Sequence, residues 1–192
     1  MSPILDSIGS ARSYGWGNLV AGGSFESIAT ATGTGSSGTI TFSSIPSTYK
    51  HLQIRILGRS TDPFSISDLY FRYNSSTSGY ANHGLQGNGS IVETKQDTSG
   101  SEMIIYQSLT ANNAASGVMG VAIIDIQDYA STTKNKTFRC FSGQNRPAQS
   151  QGAVWMQSGF LNNTAAISGL TFTMGSGNWN EDSVVSLYGI KG

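Results

Sequence analysis

An all-β, jelly-roll-like antiparallel β-sandwich with an extended N-terminal arm is the fold this sequence predicts. Three observations predict it: short runs with apolar residues at every second position, glycine- and serine-rich punctuation between them, and no ten-residue segment with a 3.6-residue apolar period. The 192 residues are 38% hydrophobic and 10% aromatic, which supplies one core and argues against a disordered linker despite 24 glycines. We therefore expect residues 1–23 to form an anchoring arm and residues 24–192 a single β-sandwich domain.

The arm is glycine-rich yet carries Ile4, Leu5, Ile8, Tyr14 and Trp16, apolar side chains that call for a partner surface and are the candidate anchoring residues. Strand alternation follows in Thr39–Phe42 and in His51–Ile56, where Leu52, Ile54 and Ile56 share one face. Between them, Pro46–Lys50 could hold one turn of helix at most. Leu69, Phe71 and Tyr73 form another inward set, with Tyr70 and Arg72 on the opposite face. The runs Glu102–Leu109 and Val118–Ile126 are more continuously apolar, as expected of central strands covered on both sides. Thr137–Phe141, Val154–Phe160, Leu170–Met174 and Val184–Ile190 complete the series. Turn signals separate these runs at Ser44–Ser47, Asn74–Gly79, Gly87–Gly89, Gln144–Gly152 and Gly175–Asn178. Short strands with this punctuation indicate a sandwich of jelly-roll type.

The charge balance limits function. Eleven basic and eleven acidic side chains give a formal net charge of zero, without the Lys/Arg cluster that nucleic acid or an anionic membrane requires. No run approaches the about 20 apolar residues of a membrane span, and Met1–Asp6 lacks a secretory pattern, so synthesis in a cytoplasm is expected. Cys140 has no intrachain partner and reads as a small buried hydrophobe. Gly33–Gly38 matches G-x-G-x-x-G but runs into a strand, so the helix terminus that would meet a pyrophosphate is missing. There is no G-x-S-x-G elbow. Asp125 and Asp128 have odd spacing that sends them to opposite faces of a continuous strand, and Asp128 suits a turn. His51 and His83 lack metal-ligand spacing, and Asn178-x-Asn180-x-Asp182 lacks the glycine and glutamate of a calcium loop. The expectation is a building block or binding module without catalytic residues, metal or cofactor. Candidate glycan-binding residues are Tyr80, Asn82 and His83 in one loop and Asn178, Trp179 and Asn180 in another, since aromatic faces beside amides stack on sugars and bond their hydroxyls. The competing reading has Trp179 capping the end of the sandwich or filling a subunit interface.

Several stretches carry a resemblance. Phe25–Thr30, Ile40–Arg55, Ile124–Ala130, Asn162–Ile167 and the closing Ser186–Gly192, with Ala11–Gly15 in the arm, resemble small virion proteins of tailed bacteriophages, including those of cyanobacteria. The resemblance implies a structural protein of the virion, made in the host cytoplasm, and first of all a tail-associated fibre or adhesion component. It implies a homotrimer, attachment to other virion proteins through the arm, and a host surface glycan as ligand; that no nucleic acid is bound and no membrane entered is the expectation from charge and apolar run length. A capsid or neck decoration protein is the alternative, and a hydrolase of envelope polysaccharide the second alternative. The resemblance supplies no catalytic residue.

Overall fold

The computed structural model describes residues 24–147 and 151–192, so the arm and its anchoring residues Ile4, Leu5, Ile8, Tyr14 and Trp16 lie outside the described residues. The elements in chain order are β1 (Phe25–Thr32), β2 (Thr39–Phe42), β3 (His51–Gly58), β4 (Ile66–Tyr73), β5 (Tyr80–Gly87), β6 (Val92–Gly100), β7 (Met103–Thr110), β8 (Gly120–Gln127), β9 (Lys136–Arg146), β10 (Gln151–Leu161), β11 (Leu170–Met174) and β12 (Val184–Ile190). They build an eight-stranded sheet ordered β1-β12-β3-β8-β9-β10-β5-β6 and a four-stranded sheet ordered β2-β11-β4-β7. Pairing between neighbouring strands is antiparallel throughout.

The jelly roll emerges when two hairpins are set aside. Without β5-β6 and β9-β10, the large sheet is β1-β12-β3-β8 against β2-β11-β4-β7, and the chain crosses between the layers in the jelly-roll manner. The two hairpins then extend only one layer, so half of the large sheet outreaches the small one.

Alternation makes the core. Leu52, Ile54 and Ile56 of β3 face inward with Ile124 and Ile126 of β8 and Val185 and Leu187 of β12. Opposite them stand Leu69 and Phe71 of β4, Phe172 of β11 and Met103, Ile105 and Leu109 of β7. Phe71 is the hub: its ring lies 5.2 Å from Phe138, 5.4 Å from Tyr73 and 5.8 Å from Phe172. The layers meet closely at Gly120, where a Cβ would sit 2.3 Å from the Ser108 carbonyl oxygen, so only glycine fits there.

The inward sets of β3 and β4 stand as the sequence places them. Four local expectations change. Phe25–Thr32, Tyr80–Gly87 and Val92–Gly100 are strands although their alternation is polar, because pairing to a neighbour decides them. Pro46–Lys50 has no helical turn. Much of the segment 144–152 continues the ladder, with Arg146 opposite Gln151. Finally, β8 is covered on one side only: Ala122, Ile124 and Ile126 are buried, but Val121 and Ile123 are exposed. Its continuous apolar run therefore does not report burial within this chain.

Candidate functional site

The uncovered side of β8 belongs to a larger field. Along the ladders, Ile123 stands beside Phe141 of β9, Phe141 beside Met156 of β10, and Met156 beside Leu85 of β5. A parallel row runs Leu57, Val121, Gly143, Val154. All these apolar side chains are exposed, Phe141 at 57% and Met156 at 61%. In an antiparallel sandwich the outer face is ordinarily polar, so two adjacent apolar rows across five strands mark a contact surface. The sheet is concave here, enclosing about 640 Å³ among His83, Leu85, Thr94, Gln96, Ile123, Asp125, Arg139, Phe141, Met156 and Ser158.

One edge of the field is polar and ordered. The next row reads Gln53, Asp125, Arg139, Ser158, His83, Gln96. Gln53 Nε2 donates to Asp125 Oδ1 at 2.9 Å, Arg55 Nε donates to Gln53 Oε1 at 2.9 Å, and an Arg139 guanidinium nitrogen lies 3.9 Å from Asp125 Oδ2. The Arg55 guanidinium also sits 5.1 Å from the Phe25 ring centre and 5.4 Å from that of Tyr188, which stack on each other at 4.7 Å. The rim thus presents both signs of charge in fixed positions beside an apolar floor. Cys140 alternates with Phe141 and points inward, where burial pushes its thiol up to about 12, far from a nucleophile's range.

The sequence-predicted residues are not brought together. Tyr80, Asn82 and His83 lie on β5, not in a loop, and strand alternation parts them. Tyr80 is buried, its hydroxyl donating to the Ser76 carbonyl at 3.2 Å and accepting the Tyr73 amide at 3.0 Å. Asn82 is buried as well, donating from Nδ2 to the Ile104 carbonyl at 3.1 Å. His83 alone reaches the concave face. Trp179 is fully buried at the opposite end of β4 from Tyr80, next to Gly58 and a bridge to Ser60, the end-capping place that the competing reading gave it. Asn178 donates to the Gly35 carbonyl at 3.2 Å, and Asn180 Oδ1 accepts the Asp182 amide at 3.0 Å, so both serve turns. Of this set, only His83 offers a face to a ligand on the concave surface. Ile123, Phe141 and Met156 escaped sequence reasoning because apolar strand residues read as core. The signal for this face was Val121 and Ile123 of β8, apolar where alternation calls for polar.

Among the described residues no group of three or more His, Cys, Asp and Glu could hold a metal ion, and no helix is long and apolar enough to cross a membrane. No family model and no curated protein matches the chain. Among solved structures, a protein of unknown function from Shewanella oneidensis MR-1 aligns at 8% identity and a TM-score of 0.24, over 88% of this chain and 76% of that one. The CBM2 module of the evolved Dit of Lactobacillus casei BL23 phage J-1 aligns at 11% identity and a TM-score of 0.25, over 85% of this chain and 77% of that one. Neither likeness is strong enough to carry an argument.

Proposed function

We propose that this chain is a structural protein of a tailed-phage virion, a tail-associated fibre or adhesion component, whose copies associate through the outer face of the eight-stranded sheet. The observation that supports this most is the pair of exposed apolar rows through Ile123, Phe141 and Met156. A surface of that kind is stable in water only when covered, and repeated assembly is how a virion protein covers one. The occupant is a second copy of this chain, because the rim displays Arg139 and Arg55 beside Asp125, so a copy rotated onto it can oppose unlike charges. The zero formal net charge leaves little repulsion between copies. The resemblance of the sequence to tailed-phage virion proteins supplies the setting, with residues 1–23 as the attachment to other virion proteins and a homotrimer as the expected closed assembly, its three outer faces turned toward a shared axis so that each meets both neighbours.

Two measurements test the reading. Light scattering after size exclusion should give an oligomer for the natural chain and a folded monomer for Phe141→Glu combined with Met156→Glu. A natural chain that stays monomeric at high concentration defeats the self-association. Independently, a tag on Gly192, located on intact particles by electron microscopy, should appear at the tail. Density over the head lattice would make the chain a decoration protein, and absence from particles would remove it from the virion.

A further inference from the structure

The inner face of the large sheet changes chemistry where the small sheet ends. The row that starts with Ile124 continues through Cys140 to Gln157 and Gly84, and the row from Ala122 continues through Ser142 and Trp155 to Gln86 and Glu93. Isoleucine lies under the four-stranded sheet; amides and charge lie beyond β7, that sheet's last strand. Between β7 and the inserted hairpins is a cavity of about 390 Å³ whose wall includes Gln86, Gln107, Gln144, Arg146 and Glu93, and no apolar side chain larger than that of Ala153.

Three of these side chains are more than nine-tenths buried: Gln86 at 5% exposure, Gln144 at 6% and Arg146 at 8%. Among the described residues, Gln86 Oε1 and Gln144 Nε2 have no hydrogen-bond partner. Arg146 Nε donates to Gln144 Oε1 at 3.0 Å, which fixes the guanidinium beside the free amide, and no ion pair among the described residues engages Arg146. Buried polar groups are normally paired, so this set is arranged for something that pairs with it. Gln107 adds a further amide to the wall, from β7. It stands at φ 45°, the left-handed region that a non-glycine residue occupies at a cost, and its amide is held there by Asp68 Oδ1 at 2.6 Å.

We propose that this cavity binds a neutral saccharide unit. An apolar ligand would strip water from the amides and return no hydrogen bond. An anion would meet Arg146 but also Glu93, and the wall's two charges cancel. A sugar ring offers closely spaced hydroxyls that both donate and accept, which suits an amide oxygen, an amide NH2 and a guanidinium fork placed side by side. The volume lies toward the small end of the about 300–1,000 Å³ typical of ligand pockets, the size for a mono- or disaccharide. The site is on the other side of the sheet from the association face and is independent of it.

The test is a titration of the purified full chain with mono- and disaccharides of glucose, galactose, mannose, rhamnose and N-acetylglucosamine, read by the side-chain amide NMR signals of glutamine. At least one sugar should shift the Gln86, Gln107 and Gln144 signals in a saturable way. Gln144→Leu and Gln107→Ala should each weaken that sugar about ten-fold, the loss of one or two hydrogen bonds, whereas Phe141→Glu on the outer face should leave it unchanged. Should Gln144→Leu fail to fold, half-buried Gln107 carries the test. A panel without saturable shifts, shifts confined to His83 and the outer face, or binding indifferent to both variants would overturn the proposal and leave water as the occupant.

Discussion

The two halves of the large sheet obey different rules. In the jelly-roll half, β3, β12 and β8 lie under the small sheet, and their inward side chains share one large apolar cluster with those of the opposite layer. In the inserted half, Trp155 is just as buried, but the cluster around it is only Tyr106, Ala153 and Ile104. Farthest out, β6 is exposed on nearly every residue, and Glu93, Lys95 and Asp97 place charge along the sheet edge, where charge discourages pairing with a stray strand. The first half is built for stability. The second exposes apolar rows on its outer face and sets the buried amides of Gln86, Gln144 and Gln157 on its inner face, without a full set of partners among the described residues.

Tryptophan removal should break the comparison open most widely. Trp179→Ala deletes the largest side chain at the closed end of the sandwich, against Leu109 and Gly58, and should cost about 3–5 kcal/mol in urea denaturation. Trp155→Ala should cost less, about 2 kcal/mol, because a small cluster under one layer relaxes more readily. Hydrogen exchange should show its damage confined to β5, β6, β9 and β10. Equal losses from the two variants, both spread over the whole molecule, would mean that the inserted half is as integral as the first.

Two buried arginines sharpen the same contrast. Arg59 donates to four carbonyls, those of Asn112, Ala114, Ala115 and Val118, and so holds the loop that leads into β8. Arg59→Met strands those acceptors and should cost about 2–3 kcal/mol. Arg146, as buried, has one hydrogen-bond partner among the described residues, Gln144. Burial pushes its pKa down from its ordinary value, a sign that the charge is poorly solvated. Arg146→Met should therefore be nearly neutral or stabilising. Loss of stability there comparable to that of Arg59→Met would show Arg146 to be a structural residue, and the cavity with it.

The contrast also explains what was legible in the sequence. Leu52, Ile54 and Ile56, or Leu69, Phe71 and Tyr73, alternate because water lies on one side and core on the other, so their faces could be read directly. The strands β5 and β6 could not: Tyr-Ala-Asn-His-Gly-Leu-Gln-Gly and Val-Glu-Thr-Lys-Gln-Asp-Thr-Ser-Gly have no alternating apolar set, and ladder hydrogen bonds to β10 and to each other hold them. Tyr80, Asn82 and Trp179 read as ligand-facing because polar, aromatic-bearing segments usually lie at surfaces, whereas here each fills a place at one end of the core or beside β7. The cavity was invisible for a simpler reason. Gln86, Gln107, Gln144 and Arg146 come from three strands, β5, β7 and β9, and only topology brings them together.

The smallest expected effect lies at the joint between the halves, in the turn from β8 to β9. Asp128 takes φ 46° there, its amide donating to His51 Nδ1 at 3.1 Å. Lys134 and Lys50 flank its carboxylate, with Lys50 Nζ 2.9 Å from Oδ1, and these two partners lower its pKa from 3.8 to about 2. In the unfolded chain an aspartate titrates near pH 3.9. The folded state therefore binds this proton less tightly, and the stabilisation is present in full above about pH 5 and lost as pH falls through about 2. Asp128→Asn keeps a side chain that tolerates positive φ and removes only the charge. The natural chain should melt at a slightly higher temperature than the variant near neutral pH, and the gap should close on acidification and with added salt. A gap that persists at pH 2 would place the contribution in the turn geometry and not in the ion pairs.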